Sequence, residues 1–219
     1  MADMKDRLHD LASGVRTPDV VDAMGRMHRH RCHLDDLVSP TPGRVLLAPA
    51  VTISYLPSCE EALPPEQFTF TRLFDEAIGE GAQGHVLVLA GNGHRDISLG
   101  GGTKLSLVAA RGLAGVLADG RLRDFPEIAR YDLAVYCRGQ TSKWGGDVVT
   151  PFETNRPVVV SGVAVRPGDY VFADASGAAV IPAAHVLEVF EEANRVAQEE
   201  AAYAESLRHE NPTGEGSGQ

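Results

Sequence analysis

The chain has 219 residues, 43% of them hydrophobic, enough to bury a substantial core as one domain over 1–208 with a disordered tail over 209–219. Its net charge of −10 argues against a broad phosphate-binding surface, and so against nucleic acid as a partner, yet leaves room for a small anion held by local arginine and backbone donors. No apolar run approaches the roughly 20 residues of a membrane span, and the first six residues lack an export-signal pattern, so a cytoplasmic location without membrane contact is expected.

Residues 4–13 fit a helix with Leu8 and Leu11 on its apolar side. Thr17-Pro18-Asp19 reads as a helix start with Thr17 as cap, followed by Val20, Val21, Ala23 and Met24 at helical spacing and by Gly25 to end or loosen it. His28-Arg29-His30-Arg31-Cys32-His33 fits no zinc spacing, because no second Cys/His pair follows at finger distance; it reads as a solvated basic loop, with room to line a rim where an anion enters. The three cysteines, Cys32, Cys59 and Cys137, are odd in number and scattered, which favours reduced thiols over a disulfide framework. Residues 45–55 alternate like a strand, 59–67 form a proline-containing loop, and 70–78 form a helix. His85-Val86-Leu87-Val88-Leu89-Ala90 is a fully buried strand by length and β-branching. The loop behind it, Gly91-Asn92-Gly93-His94-Arg95-Asp96, has no dinucleotide-binding spacing; His94 and Asp96 either approach a site there or only solvate the loop.

The stretch with the most chemistry comes next. Ser98-Leu99-Gly100-Gly101-Gly102-Thr103-Lys104 is a glycine turn opening a helix that stops at Arg111-Gly112. Three glycines before a helix let backbone N–H groups converge on an anion, at the end of the helix that carries partial positive charge. Gly115-Val116-Leu117-Ala118 is a short strand, and the Asp119-Gly120 turn then delivers Arg123 and Asp124 side by side beyond the strand's C-terminal end, where open α/β sheets place ligands. An arginine next to an aspartate suits an acidic small molecule plus a divalent metal, although such dipeptides are often surface ion pairs. A short helix over 125–130, a strand over 133–136 and a polar loop over 138–147 with Lys143 and Trp144 follow. Residues 157–165 form a hairpin around Ser161-Gly162, and 170–174 with 178–181 a second one. Residues 186–207 form a long acidic amphipathic helix carrying Glu191, Glu192, Glu199 and Glu200, and 211–219 read as a disordered tail.

Several of these features occur together in one family. Thr17-Pro18-Asp19-Val20-Val21-Asp22-Ala23-Met24-Gly25, the buried strand, the glycine turn, the stretch from Gly115 to Asp124, and Ser161-Gly162-Val163-Ala164-Val165-Arg166-Pro167-Gly168-Asp169 with Asp174 and Gly177 resemble the RraA-like family over about residues 10–205. That family includes the class II 4-hydroxy-4-methyl-2-oxoglutarate (4-carboxy-4-hydroxy-2-oxoadipate) aldolases and the regulators of ribonuclease E; the motifs do not separate the two. The resemblance implies an α/β fold of the swivelling β/β/α type, a mixed sheet with flanking helices and a long C-terminal helix, assembled as a homo-oligomer, a trimer or hexamer. It also implies a lyase, an aldolase or oxaloacetate-type decarboxylase, acting on a small anionic 2-keto acid through a pyruvate enolate with Mg2+ or Mn2+. On this sequence Arg123 would hold the keto acid and Asp124 the metal, with the turn Gly100, Gly101, Gly102, Thr103 and Lys104 binding the substrate carboxylate. Glu199 or Glu200 of a neighbouring subunit would assist through metal-bound water.

One departure bears on all of this. The family pattern carries an acidic residue in the glycine turn where this chain has Gly102, and Lys104 adds a positive charge beside it. Three outcomes are open: a metal held by fewer groups, Lys104 partly replacing it electrostatically as a catalytic group, or a catalytic function altered or lost, which leaves either a family member with changed chemistry or a non-catalytic regulator that binds a protein partner.

Overall fold

The computed structural model describes residues 2–28 and 31–210. In chain order they form α1 (Ala2–Ala12), α2 (Thr17–Met27), β1 (His33–Leu34), β2 (Leu46–Pro57), α3 (Phe70–Ile78), β3 (Val86–Ala90), β4 (Ser98–Gly100) and α4 (Gly102–Ala110). Next come β5 (Gly115–Ala118), β6 (Arg121–Leu122), α5 (Phe125–Ile128), β7 (Ala134–Cys137) and β8 (Val149–Thr154). The last elements are β9 (Val158–Val160), β10 (Val163–Val165), β11 (Tyr170–Asp174), β12 (Gly177–Ile181) and α6 (Val186–Glu210). They divide into two compact units, residues 31–184 and the described parts of 1–30 with 185–219.

The larger unit is built on one mixed sheet in the order β1-β12-β11-β2-β3-β5-β7, with β8 also paired to β2. Strands β2, β3, β5 and β7 run parallel, and β11, β12 and β1 extend the sheet antiparallel from β2. Both faces of the parallel part are covered, which is why β3 and β5 read as unbroken apolar runs. Along β3, Leu87 and Leu89 point to the cluster formed with Leu73 and Phe74 of α3 and Leu105 and Val108 of α4. Val86, Val88 and Ala90 point the other way, to Val158, Val160, Val163 and Val165 of the β9–β10 hairpin. That hairpin turns on Ser161 and Gly162, both at positive φ (51° and 79°), the two-residue turn whose twist matches its strands.

Strand β8 has no counterpart in the sequence reading, and its proline explains why. Pro151 lies opposite Tyr55, where the register with β2 shifts between Ser54 and Tyr55, and an irregularity of that kind is where a strand tolerates a residue without an N–H. Of the basic stretch over 28–33, Arg29 and His30 lie outside the described residues. Cys32 and His33 are edge-of-sheet backbone rather than loop: the Val180 N–H donates to the Cys32 carbonyl at 2.8 Å, and His33 pairs with Ala179. All three cysteines are free.

In the smaller unit α1 and α2 pack on α6, through Val20, Ala23 and Met24 on one side and Val189, Phe190, Ala193 and Val196 on the other. The cap of α2 is Arg16 rather than Thr17. Asp19, 1% exposed, accepts the Arg16 backbone N–H and its guanidinium, both at 2.8 Å, so the carboxylate three residues in closes the helix start. Gly25 does not end the helix, which continues to Met27; packing of Ala23 and Met24 outweighs the roughly 1 kcal/mol cost of an interior glycine. Helix α6 reaches Glu210, and residues 211–219 lie outside the described residues.

In the larger unit a buried ion pair fixes the turn that leaves β5. Asp119 and Arg138, with side chains 5% and 8% exposed, meet at 2.8 Å, and Arg138 also donates to the Ser161 hydroxyl at 2.5 Å. Removing Asp119 leaves the buried Arg138 guanidinium with the Ser161 hydroxyl and only the more distant, exposed Asp36 carboxylate at 3.6 Å. Asp119→Ala should therefore cost about 3–5 kcal/mol, read as a lower urea midpoint at unchanged slope; an unshifted midpoint would show that the pair holds nothing together.

Candidate functional site

Strands β4 and β6 are short, but their parallel pairing decides where the chemistry sits. Ser98 pairs with Arg121 and Gly100 with Leu122, and the Arg123 N–H donates to the Gly100 carbonyl at 3.0 Å. The glycine turn and the Arg-Asp turn therefore lie side by side at the C-terminal edge of the parallel strands, as the sequence implied.

The approach is close enough to exclude a side chain. A Cβ on Gly101 would lie 2.6 Å from Asp124 Oδ2 and 3.3 Å from Arg123 Cβ. Asp124 has left-handed backbone (φ 61°, ψ 41°) at the start of α5, a conformation aspartate tolerates at a modest cost. Its carboxylate does not cap its own helix; Oδ2 instead accepts the Gly102 N–H at 3.0 Å, across the turn. Gly102, Thr103 and Lys104 open α4, so their N–H groups have no partner within the helix. The first is taken by Asp124, and those of Thr103 and Lys104 remain for an anion. Beside them Arg123 Nε is buried without a hydrogen-bond partner, an orphaned cationic donor of the kind that a ligand completes.

Lys104 turns back over the same turn. Its Nζ donates to the Leu99 carbonyl at 3.2 Å and lies 4.8 Å from the Phe70 ring centroid and 5.8 Å from that of Tyr55. Burial first, and the Arg123 guanidinium second, push its pKa down to about 8. The Tyr55 hydroxyl donates to the same Leu99 carbonyl at 3.1 Å, and burial pushes the phenol pKa up, keeping its proton in place.

These groups line a cavity of about 380 Å3, of the size that holds small-molecule ligands. Gly100, Gly101, Thr103, Lys104, Arg123 and Asp124 form one wall; Tyr55, Phe68 and the Trp144-Gly145-Gly146 loop close it. That loop is drawn in tightly, since a Cβ on Gly145 would lie 2.3 Å from the Ser98 carbonyl oxygen. Of the residues expected to bind substrate, Gly102 does not line the cavity. Neither His94 nor Asp96 lines it; Asp96 pairs with Arg121 at 3.8 Å instead. Glu199 and Glu200 belong to the smaller unit, where they pair with Arg26 (2.8 Å) and Arg16 (3.4 Å), and Arg26 holds the Glu199 carboxyl below its usual pKa.

One functional candidate escaped the sequence reading altogether. The carboxylate of Glu127, on α5, fills the space beside Gly102: a Cβ there would lie 2.1 Å from Glu127 Oε2. The Tyr131 hydroxyl donates to Glu127 Oε1 at 2.8 Å and steadies it. A carboxylate from the next helix thus stands beside Gly102, outside the cavity lining. Among the described residues no group of three or more His, Cys, Asp or Glu gathers around one point. Glu127 does not line the cavity; of the carboxylates that do, Asp124 is the one on the turn, and a single carboxylate of this kind can hold a hard divalent ion with the help of water and substrate oxygens.

Comparison with known proteins agrees with this picture at the level of family. The family model described as RraA-like, Aldolase/RraA, matches residues 17–180. A "Putative 4-hydroxy-4-methyl-2-oxoglutarate aldolase" of Halalkalibacterium halodurans is 30% identical over 125 residues, 55% of this chain and 57% of that protein, so the match spans little more than half its length. A protein of the same name from Ectopseudomonas mendocina is 35% identical over 117 residues, 51% of this chain and 68% of that one. The structure of Streptomyces coelicolor RraAS2, an unusual member of the RNase ES inhibitor RraA protein family, superposes with a TM-score of 0.77 at 24% identity, over 90% of this chain and 96% of that one, and shows a shared fold. Since the family match runs over most of the chain and takes in both turns that meet at the cavity, this chain belongs to the RraA-like family, in which aldolases and RraA regulators share one architecture.

Proposed function

We propose that this chain is a family member with altered chemistry, a lyase whose cavity takes a small anionic 2-keto acid and breaks a carbon–carbon bond next to its keto group. The observation that carries this reading is the buried, unpartnered Arg123 Nε beside the open N–H groups of α4. A substrate carboxylate would bridge the Thr103 and Lys104 amides, and Arg123 would donate to the keto oxygen. Such cleavage leaves a pyruvate enolate, and a prearranged charged donor aimed at the developing oxyanion is what lowers that barrier. Asp124 holds the Gly102 amide and so fixes the turn that orients the carboxylate. Asp124 would hold Mg2+ or Mn2+, which supplies Lewis-acid stabilisation of the same oxyanion when bound. Assembly as a trimer or hexamer, with Glu199 or Glu200 of a second copy assisting, belongs to the same proposal, as does a cytoplasmic location.

A non-catalytic regulator is the second reading, and Gly102 favours it, since the family's acid is absent from the turn itself. Turnover separates the two. Pyruvate release from oxaloacetate and from a panel of 4-hydroxy-2-keto acids, measured with Mg2+ present, should be detectable. Arg123→Ala and Asp124→Ala should each lower it by about 10²–10³-fold while the circular dichroism stays unchanged. Full activity in both variants would move the site elsewhere; no turnover of any 2-keto acid by the native chain, with a protein partner captured on it, would favour the regulator.

The lowered pKa of Lys104 gives a second measurement. Below about pH 8 the side chain is charged and attracts the substrate carboxylate; above it the charge is lost. Affinity for lactate, which offers the carboxylate without a ketone, should fall as pH rises through about 8, and Lys104→Met should remove that inflection. An inflection that persists in the variant would assign it to another group.

A further inference from the structure

We propose that Lys104 forms a covalent imine with the ketone of the bound 2-keto acid, so that the chain carries an electron sink on its own side chain; this rests on the keto-acid reading of the cavity. Four observations support it. Lys104 is on the first turn of α4, so an acid bound to the amides there presents its ketone, one carbon away, to the same cavity wall. The amine is held by a neutral acceptor, the Leu99 carbonyl, rather than by a carboxylate that would lock it in its charged form. Its surroundings are apolar and aromatic on the Phe70 and Tyr55 side, and cationic on the Arg123 side. A lysine desolvated in an apolar pocket beside a second cation is the arrangement that makes an amine nucleophilic. Last, the Tyr55 hydroxyl shares the Leu99 carbonyl with Nζ, so a protonated phenol stands next to the reacting nitrogen.

With a pKa near 8, roughly a tenth of the amine is unprotonated at pH 7, enough to start the reaction. The Nζ lone pair adds to C2 of the keto acid and the proton that Nζ gives up passes to the ketone oxygen, giving a carbinolamine. The hydroxyl leaves as water with a proton taken from solvent in the open cavity, and a protonated imine remains. In a substrate with a carboxylate on C3, the C3–carboxylate bond breaks, CO2 departs and the electron pair moves into the imine to give an enamine. C3 then takes a proton from water, and hydrolysis returns pyruvate and the free amine. Arg123 holds the substrate through this sequence.

The chain has three lysines, Lys5, Lys104 and Lys143, which makes the test direct. The full chain is incubated with pyruvate and sodium cyanoborohydride in the presence of EDTA, then weighed and peptide-mapped. Pyruvate binding is measured in parallel by saturation-transfer NMR. One adduct of about 72 Da on the peptide containing Lys104 is expected. It should survive in Lys143→Arg and vanish in Lys104→Arg, which keeps the positive charge but cannot form the imine. Pyruvate binding without an adduct, or an adduct on Lys5, Lys143 or the terminal amine alone, would overturn the imine and leave the cavity reading standing. Neither binding nor adduct in the native chain would overturn both.

Discussion

The candidate site depends on how near two backbone turns can come. The parallel pair β4–β6 brings the glycine turn against the Arg-Asp turn, and the approach closes only because residue 101 has no side chain. Asp124 then bonds the Gly102 amide, which ties the start of α5 to the start of α4. Two helix openings and two charged side chains share one wall as a result, without any long loop to hold them. The preorganisation is a backbone property, and backbone is what a packed α/β sheet holds most firmly.

The sheet beneath supplies that firmness. Buried strands β3, β5 and β7 place their C-terminal ends at one level, and the β5 exit turn is anchored by the Asp119–Arg138 pair that also bonds Ser161. A buried pair of this kind adds little net stability compared with apolar packing, but it defines a single geometry for the turn. The hairpin β9–β10 is thereby linked to the exit turn from which the Arg-Asp segment departs. Fold and site are coupled through that one guanidinium.

Much of this was legible in the sequence because it depends on local chemistry. The buried strand over 86–90, the helix over 70–78, the Ser161-Gly162 hairpin and the glycine turn follow from apolar period, β-branching and turn residues within short windows. What stayed hidden depends on contacts between distant residues. Strand β8 is disguised by Pro151, tolerated only where β2 changes register. The cap of α2 moved one residue because Asp19 can bond Arg16 from inside the helix. Tyr55 and Phe70, which shape the surroundings of Lys104, come from a strand and a helix that carry no motif of their own. Glu127 gave no signal either, since its partner Gly102 lies on a different helix and has no side chain to pair with.

Glu127 and Gly102 also bear on the paths by which such a chain can change. The Glu127 carboxylate occupies the volume that a side chain at 102 would enter, and as the end of a flexible exposed side chain it can swing aside to make room. An acidic residue introduced at 102 would turn Glu127 outward, and trimming Glu127 would empty that volume of charge. Two neighbouring helices can thus reach one volume with a carboxylate, a proximity that a motif scan examining one position at a time does not register.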